Sequence, residues 1–317
     1  MKLVRVFIVA LLLAVFAALN AVTPPIAPNA DSVRIAGARH LTAIRSQPWA
    51  KDLRRVALGE IRLVQPKASP FGVVSQKAWH ARIVNPTGPI GYVLWECDSG
   101  QLVEFALDTK LAFDADDAHV VQGVPPLQQF ALRAGDGTAI ASGCVPTSAA
   151  SVVGFWIAHG QPQWRGNMSQ NHMAETAKRL RSRLRMVSIP DKDGYTDDGM
   201  ALAGAFPNEL ATAIQADANE WNVPIVCKFQ RFSVSVVQTE IAAGRPVLLS
   251  CGVRVPHKPE LSWGHEVAGV GWAKIGEKIF VGVLDNFFPT RHADTIRWIA
   301  QDAFSSIITV KPKAGGG

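Results

Sequence analysis

The sequence is poor in the residues and motifs that mark several large classes of protein. It has only four cysteines in 317 residues, which is too few for a disulfide scaffold, and no two of them have the C-x-x-C spacing of a zinc or redox site. It has no glycine-rich phosphate loop, no Rossmann fingerprint and no internal repeat. The His265-Glu266 pair lacks the second histidine that a zincin helix needs. The sequence therefore predicts neither a metal site nor an organic cofactor.

The chain also has little net charge. Its formal charge is +6 and falls to +4 if Lys2 and Arg5 are removed with the N-terminal segment, which does not indicate a nucleic-acid partner. The one dense basic stretch is KRLRSRLR at 178–185, with apolar neighbours on one helical face. We interpret it as the solvated face of a helix that is supported by a Glu175–Arg179 ion pair. Weak contact with an anionic envelope surface is the alternative.

The N-terminus has the layout of a secretory signal. Lys2 and Arg5 precede an apolar run from Val6 to Leu19, which is short for a membrane span. We predict a signal peptide over residues 1–21 and hence an extracytoplasmic protein, secreted or periplasmic. An uncleaved N-terminal membrane anchor is the alternative. Residues 22–32 are rich in proline and predict an extended or disordered linker.

The remainder divides by pattern into two regions and a short tail. Residues 33–120 are predicted to be mainly β, including two strands of GYVLWECDSGQLVEFALD that meet at the turn Asp98-Ser99-Gly100. Residues 121–312 carry helices first, one of them at 207–221, and β-type runs afterwards. This order indicates an α+β fold rather than alternating βαβ units. Residues 313–317 form the tail.

Cys144 lies in a setting that favours a nucleophile. In ASGCVPTSAASVVGFW it precedes Pro146, which fits the first turn of a helix. A helix N-terminus lowers the pKa of a thiol and leaves the Cys144 N–H to donate to an oxyanion. We expect Gly143 to leave room for a substrate backbone. These residues alone also allow a half-cystine, with Cys97 as its partner.

His265 is the candidate base for this nucleophile. In SWGHEVAGVGW it is expected to begin a strand, and twenty residues later a second strand ends in VLDNFFP. Asp285 and Asn286 therefore lie at the tip of that second strand. Two neighbouring antiparallel strands would set a carboxylate or an amide beside the imidazole, where such a group fixes the tautomer and the ring orientation of a base.

Five segments in this order resemble the papain-like cysteine peptidases: VPPLQQ, GCVPTSAASVVGFW, GRPVLLSCGV, GHEVAGVGW and VGVLDN. Within that clan they look most like the bacteriocin-leader-processing (double-glycine) type and its exported relatives. The resemblance covers roughly residues 120–310. It implies a papain-like fold in which an N-terminal helical part carries the nucleophile helix and a C-terminal part forms an antiparallel sheet. The mainly β region of residues 33–120 precedes this fold.

The resemblance also implies roles for individual side chains. The implied catalytic residues are an oxyanion-hole glutamine, a nucleophile, a base and an orienting residue, namely Gln129, Cys144, His265 and Asp285. Gln128 is the alternative to Gln129, and Asn286 is the alternative to Asp285. Val145 stands where the family commonly has glycine, and we expect it to narrow the cleft.

These observations predict an exported cysteine peptidase. It would cleave peptide or isopeptide bonds of a peptide or protein substrate through a Cys-His-Asp/Asn thiol mechanism. Residues 33–120 would be either an inhibitory pro-region or an accessory module. A catalytically silent papain-like peptide-binding protein and a disulfide-bonded structural envelope protein are the alternatives. No feature of the sequence indicates an oligomeric state.

Overall fold

The computed structural model describes most of the chain after residue 28. The described residues are 29–45, 56–64, 78–86, 88–97, 100, 102–107, 118–133, 135, 137–164, 169–188, 203–255, 258–275, 277–286 and 296–313. The predicted signal peptide, most of the predicted linker and residues 314–317 of the predicted tail lie outside them. In the described part of the chain, no helix has both the length and the apolar character needed to span a membrane.

The first helix, α1, spans Ala30–Arg45. The Asn29 side chain caps it, because its Oδ1 accepts a hydrogen bond from the Ser32 N–H at 2.9 Å. Val33 and Leu41 lie two helical turns apart and are both buried against the strands that follow. The prediction of a linker up to residue 32 is therefore wrong for residues 30–32. The Asn29 cap starts a helix there despite the proline-rich stretch that precedes it.

Four antiparallel strands follow α1: β1 (Ala57–Val64), β2 (Ala78–Asn85), β3 (Gly88–Glu96) and β4 (Leu102–Leu107). The predicted hairpin is confirmed as β3 and β4, in which Val93 pairs with Phe105. At its turn, Gly100 has a φ of +66° and donates its N–H to the Glu96 carbonyl at 2.9 Å. A positive φ of this size favours glycine at that position.

The remaining elements, in chain order, are β5 (Ala118–Val120), β6 (Ala131–Arg133), β7 (Ala139–Ala141), α2 (Cys144–Ala158), α3 (Gln170–Ser182), β8 (Val187–Ser188), β9 (Ala203–Gly204), α4 (Pro207–Glu220), β10 (Ile225–Arg231), α5 (Val234–Ala242), β11 (Val247–Val255), β12 (Lys258–Ile275), β13 (Lys278–Leu284), β14 (Ile296–Ala300), a 3-10 helix (Gln301–Ala303) and β15 (Phe304–Pro312). The helix predicted at 207–221 is confirmed as α4, with proline in its first turn. With five helices and a large antiparallel sheet in the described residues, the fold is α+β, as the order of patterns predicts.

One antiparallel sheet of eleven strands runs through both halves of the chain. Its order is β1-β2-β3-β4-β14-β13-β12-β11-β15-β10, and β5 pairs with β12. The two halves join where β4 pairs with β14, so that Phe105 lies opposite Trp298. Strands β1–β4 therefore extend the sheet of the later region.

The two largest hydrophobic cores of the described residues lie against this sheet. The larger one packs α2, α4 and α5 against strands β10 to β15. The smaller one lies around α1 and β1–β4, but it also contains Phe280 and Trp298 from the C-terminal half. The Phe105 ring is 5.6 Å from the Phe280 ring and 6.0 Å from the Trp298 ring, measured between centroids. Because aromatic rings bury large apolar areas, this shared core ties the N-terminal strands to β13 and β14.

Candidate active site

Cys144 is the first residue of α2. The helix starts directly after Gly143, and its first thirteen residues, 144–156, are all buried. The first N–H groups of a helix have no partner inside it, so they are available to an anion at this end. All four cysteines of the chain are free thiols. Cys144 is therefore not the half-cystine that the disulfide alternative requires.

Gly143 is needed by the backbone of this turn. Its φ is +92°, and a Cβ atom there would lie 3.1 Å from both the Ala203 carbonyl oxygen and the Met186 Cε. Arg181 Nη1 would be 3.3 Å away, and it also donates to the Ser142 carbonyl at 2.8 Å. The space beside Gly143 is thus filled by the protein. The expectation that this glycine leaves room for a substrate backbone is therefore wrong.

Val145 does not narrow the cleft as expected. Its side chain is buried in the larger core, because the second residue of α2 faces the interior of the protein. The apolar character of this position serves the packing of the helix.

His265 and Asp285 come from adjacent strands. His265 lies well inside β12 rather than at its start, and Asp285 directly follows β13, which pairs antiparallel with β12. His265 Nε2 donates to Asp285 Oδ1 at 3.0 Å, and the Cys144 side chain is close enough to the same imidazole to affect its pKa. All three residues are buried. The fold thus brings together the three residues that the sequence placed far apart.

The electrostatics of this cluster favour a charged imidazole. Burial alone would lower the pKa of His265, but the interactions with Asp285 and Cys144 outweigh burial and raise that pKa to about 10. His265 is therefore protonated at neutral pH.

Asn286 joins α2 to the sheet and does not contact the His265 ring through any described hydrogen bond. Its Nδ2 lies 3.1 Å from the Cys144 carbonyl oxygen and 3.0 Å from the Glu266 carbonyl oxygen, and it also donates to the Ser148 hydroxyl. Between the two candidate orienting residues, the geometry favours Asp285 over Asn286.

The two glutamines of VPPLQQ contact Asp285 and Asn286. Gln129 Nε2 donates to Asn286 Oδ1 at 3.0 Å, and the Gln129 N–H donates to the Asn286 carbonyl at 2.8 Å. Gln128 Nε2 instead donates to the Asp285 carbonyl at 3.1 Å. Asn286 therefore connects the Gln129 side chain to the backbone of Cys144.

A comparison with protein families bears on this assembly. The family model described as the Peptidase_C39 like family matches residues 121–296, more than half of the chain. The chain belongs to this family. The resemblance to papain-like cysteine peptidases of this type is thus confirmed, and family membership supports a peptidase of the cysteine type. No curated protein matches the sequence. The matched residues include Cys144, His265 and Asp285, and they end just before Arg297.

Sequence reasoning missed a row of buried polar side chains beyond the family match. Arg297 Nη1 donates to the second oxygen of Asp285, and Arg297 Nε donates to Glu104 Oε1 at 2.8 Å. The Tyr92 hydroxyl also donates to Glu104 Oε1. A signal was present, because Arg297 and Glu104 are each the single charged residue of an apolar strand, IRWIA and LVEFAL.

The basic helix has internal partners for its arginines. Arg179 and Arg183 both pair with Asp217 of α4, and the side chain of Asp217 is fully buried. Glu175 pairs with Lys178 instead of the predicted Arg179. The proposed i,i+4 pair is therefore wrong, because Arg179 turns toward the buried carboxylate on the neighbouring helix.

Proposed function

We propose that the chain is an exported cysteine peptidase that hydrolyses peptide or isopeptide bonds, with Cys144 as nucleophile, His265 as general base and Asp285 as orienting residue. The single observation that supports this assignment best is the position of the His265 imidazole, which is hydrogen-bonded to Asp285 and interacts with the Cys144 side chain. Export rests on the secretory pattern of residues 1–21.

In the proposed mechanism, the Cys144 thiolate attacks the carbonyl carbon of the scissile bond. The carbonyl oxygen takes up the π electrons and becomes an oxyanion. His265 then gives its proton to the leaving amine, and the C–N bond breaks to leave a thioester. Next, His265 takes a proton from a water molecule whose oxygen attacks the thioester. The acid product leaves and the thiolate and imidazolium are restored.

Asp285 would keep His265 in the geometry that these proton transfers need. Because Nε2 of His265 is bonded to Asp285, Nδ1 is left as the nitrogen that exchanges protons with Cys144 and the leaving group. A carboxylate in this position holds the ring orientation and stabilises the imidazolium.

We propose two donors for the oxyanion. One is the Cys144 N–H at the start of α2, where the helix leaves its first N–H groups without internal partners. The other is the half-buried Gln129 side chain, whose amide nitrogen carries a second hydrogen beyond the one donated to Asn286. Gln128 is the alternative, since its amide nitrogen likewise donates one hydrogen, to the Asp285 carbonyl, and carries a second.

The test measures reactivity and cleavage on the same full chain. We expect iodoacetamide at pH 6 to alkylate Cys144 ahead of the other three cysteines, because only a thiolate reacts and an ordinary thiol has a pKa of about 8.5. Peptide mapping by mass spectrometry gives the rate for each cysteine. The Cys144→Ala variant should lose cleavage of a proteome-derived peptide library by about 1,000-fold or more, and the Cys227→Ala control should cleave like the wild type.

Two results would count against the proposal. If iodoacetamide alkylates Cys144 at pH 6 no faster than Cys97 or Cys227, the proposed thiolate–imidazolium pair is contradicted. A reactive Cys144 in a protein that cleaves no peptide of the library would instead favour the catalytically silent binding protein.

A further inference from the structure

A continuous row of buried polar side chains leads from the candidate active site into the N-terminal strands. Asp285 bonds His265 through Oδ1 and Arg297 through Oδ2. Arg297 in turn reaches Glu104 Oε1 with two nitrogens, Nε at 2.8 Å and Nη2 at 2.7 Å. The Tyr92 hydroxyl completes the row by donating to the same glutamate oxygen.

The sheet register explains why these side chains meet. Arg297 lies opposite Ala106 across the β4–β14 pair, so Glu104 is its diagonal neighbour on the same face. Tyr92 lies opposite Ala106 across the β3–β4 pair, which makes it another diagonal neighbour of Glu104. Three strands, β3, β4 and β14, therefore present one row of polar side chains on one face of the sheet.

The charges of this row alternate in sign. The Arg297 side chain is 10% exposed and the Glu104 side chain 2% exposed, so neither charge is compensated by water. Burial opposes the charge on Arg297, but Glu104 and Asp285 outweigh burial and raise the pKa of the guanidinium. Without Glu104, the full charge of Arg297 would act on Asp285 and weaken its hold on the His265 imidazolium.

We propose that Glu104 and Arg297 are positioning residues for Asp285, and that the N-terminal strands therefore complete the active site rather than mask it. Arg297 fixes the direction of the Asp285 carboxylate, and Glu104 neutralises Arg297 so that the charge of Asp285 acts on His265. The inference rests on the proposed role of the Cys144–His265–Asp285 cluster. Neither positioning residue lies within the family match, which covers 121–296.

The protonation of His265 depends on groups from several elements. Besides Cys144 of α2, the charged and titratable groups around His265 are Asp285 after β13, Glu266 of β12, Cys251 of β11 and Arg297 of β14. Glu104 acts on His265 from one residue further away, through Arg297. Its removal leaves the other groups in place, so a change in the titration of His265 reports on the row itself.

The experiment follows the alkylation of Cys144 by iodoacetamide from pH 4 to pH 11 in the full chain, with peptide mapping by mass spectrometry. The upper transition in rate marks the loss of the His265 proton. In Glu104→Gln we expect this transition to move down by about one pH unit, because an anion that favours the imidazolium is removed. We also expect the rate at pH 6 to fall on the order of tenfold, as Asp285 is held less well.

Two further variants make the expectation specific. The double variant Glu104→Gln/Arg297→Met removes one charge of each sign, so its transition should return to within about half a unit of the wild type. Glu60→Gln, on the exposed side of β1, is the matched control and should leave the transition unchanged. Circular dichroism verifies that each variant is folded. If Glu104→Gln does not fold, Glu104→Asp replaces it. This variant keeps the negative charge but moves it away from Arg297, so the upper transition in alkylation rate should shift down by a smaller amount.

The outcomes separate this inference from the proposed function. A wild-type Cys144 with no enhanced reactivity at pH 6 overturns the proposed function and this inference with it. A reactive wild type whose transition is the same in a folded Glu104 variant overturns the inference alone. A double variant whose transition stays about one unit low overturns the charge-balancing role that we propose for Glu104.

Discussion

Glu266 directly follows His265 in β12, so the two side chains lie on opposite faces of the strand. The Glu266 side chain is buried. Its Oε2 accepts a hydrogen bond from the Ser250 hydroxyl, which also accepts one from Ser306 at 2.7 Å. Burial raises the pKa of Glu266 to about 7, although the Ser250 bond and the positive charge of His265 both lower it. The folded protein therefore holds this proton more tightly than the unfolded chain does.

This difference in proton binding predicts a pH dependence of stability. A carboxyl whose pKa is raised on folding favours the folded state fully below its unfolded pKa of about 4.5, and that contribution is lost as pH rises through about 7. The loss amounts to about 3 kcal/mol. The variant Glu266→Gln has no proton to lose, so its stability relative to the wild type should rise by that amount between pH 4.5 and pH 7.5.

Urea unfolding of both proteins at several pH values measures this change. A difference in the free energy of unfolding between Glu266→Gln and the wild type that stays constant with pH would contradict the prediction.

At the scale of single residues, the sequence was informative wherever the signal was local. Cys144 could be predicted because the glycine before it and the proline after it mark a helix start. The burial of Val145 could not be predicted, because it depends on the elements that pack around α2 and bury all of its first thirteen residues. Glu104 and Arg297 could not be paired, since 193 residues separate them in the chain and only the strand order brings them together.

At the scale of elements, α3 and α4 are held together by one buried carboxylate. Asp217 accepts hydrogen bonds from Trp164 Nε1 at 2.8 Å and from Arg179 Nε at 2.8 Å, and Arg183 Nε lies 3.3 Å away. Arg181, on the same helix, bonds the Ser142 carbonyl just before α2. The position of α3 thus affects the turn that presents Cys144.

Removing the Asp217 carboxylate should therefore destabilise the whole fold. We expect Asp217→Ala to lower the free energy of unfolding by about 3 kcal/mol, because three donors lose their buried acceptor. Glu220→Ala is the matched control on the same helix. Glu220 pairs with Arg183 but is 54% exposed, and exposed pairs contribute about 0–1 kcal/mol. Chemical denaturation of the two variants compares them, and equal losses would contradict the prediction.

The elements that could be predicted are those with a clean period or a defined turn. The α4 helix and the β3–β4 hairpin both follow from their patterns. The α1 helix could not be predicted, because its apolar and basic residues mix without a clean period and Gly37 interrupts it. A Cβ atom at Gly37 would lie 2.7 Å from atoms of both Leu58 and Trp95, so this glycine allows the helix to approach the sheet, which no local pattern reveals.

At the scale of the molecule, the two halves of the chain share one sheet and one core. Phe105 of β4 packs against Phe280 and Trp298, and the aromatic contact lies on the face opposite the polar row. Removal of the N-terminal strands would expose both rings and the edge of β14. The sequence could not distinguish a pro-region from an accessory module, since composition does not reveal which strand pairs with which.

We therefore expect the active form to keep its N-terminal strands. Protein recovered from an exporting cell and labelled at Cys144 by iodoacetamide should still contain residues 57–107 when its peptides are mapped by mass spectrometry. The Cys144→Ala variant, which cannot take the label at this position, controls for labelling elsewhere. A fully reactive species that begins after residue 107 would show instead that these strands are removed on activation.

The β4–β14 pair also determines when during synthesis the site can form. The ribosome makes β4 long before β14, because 193 residues separate Glu104 from Arg297. The edge of β4 that pairs with β14 therefore has no partner until β14 has been made. Such distant contacts make folding slow, and an unpaired edge is exposed to aggregation in the meantime. Cys144, His265 and Asp285 are all made before Arg297, and the positioning role that we propose for Arg297 can begin only once β14 has been made. On the proposed roles of these residues, we expect Cys144 to gain its reactivity only after β14 has been translated.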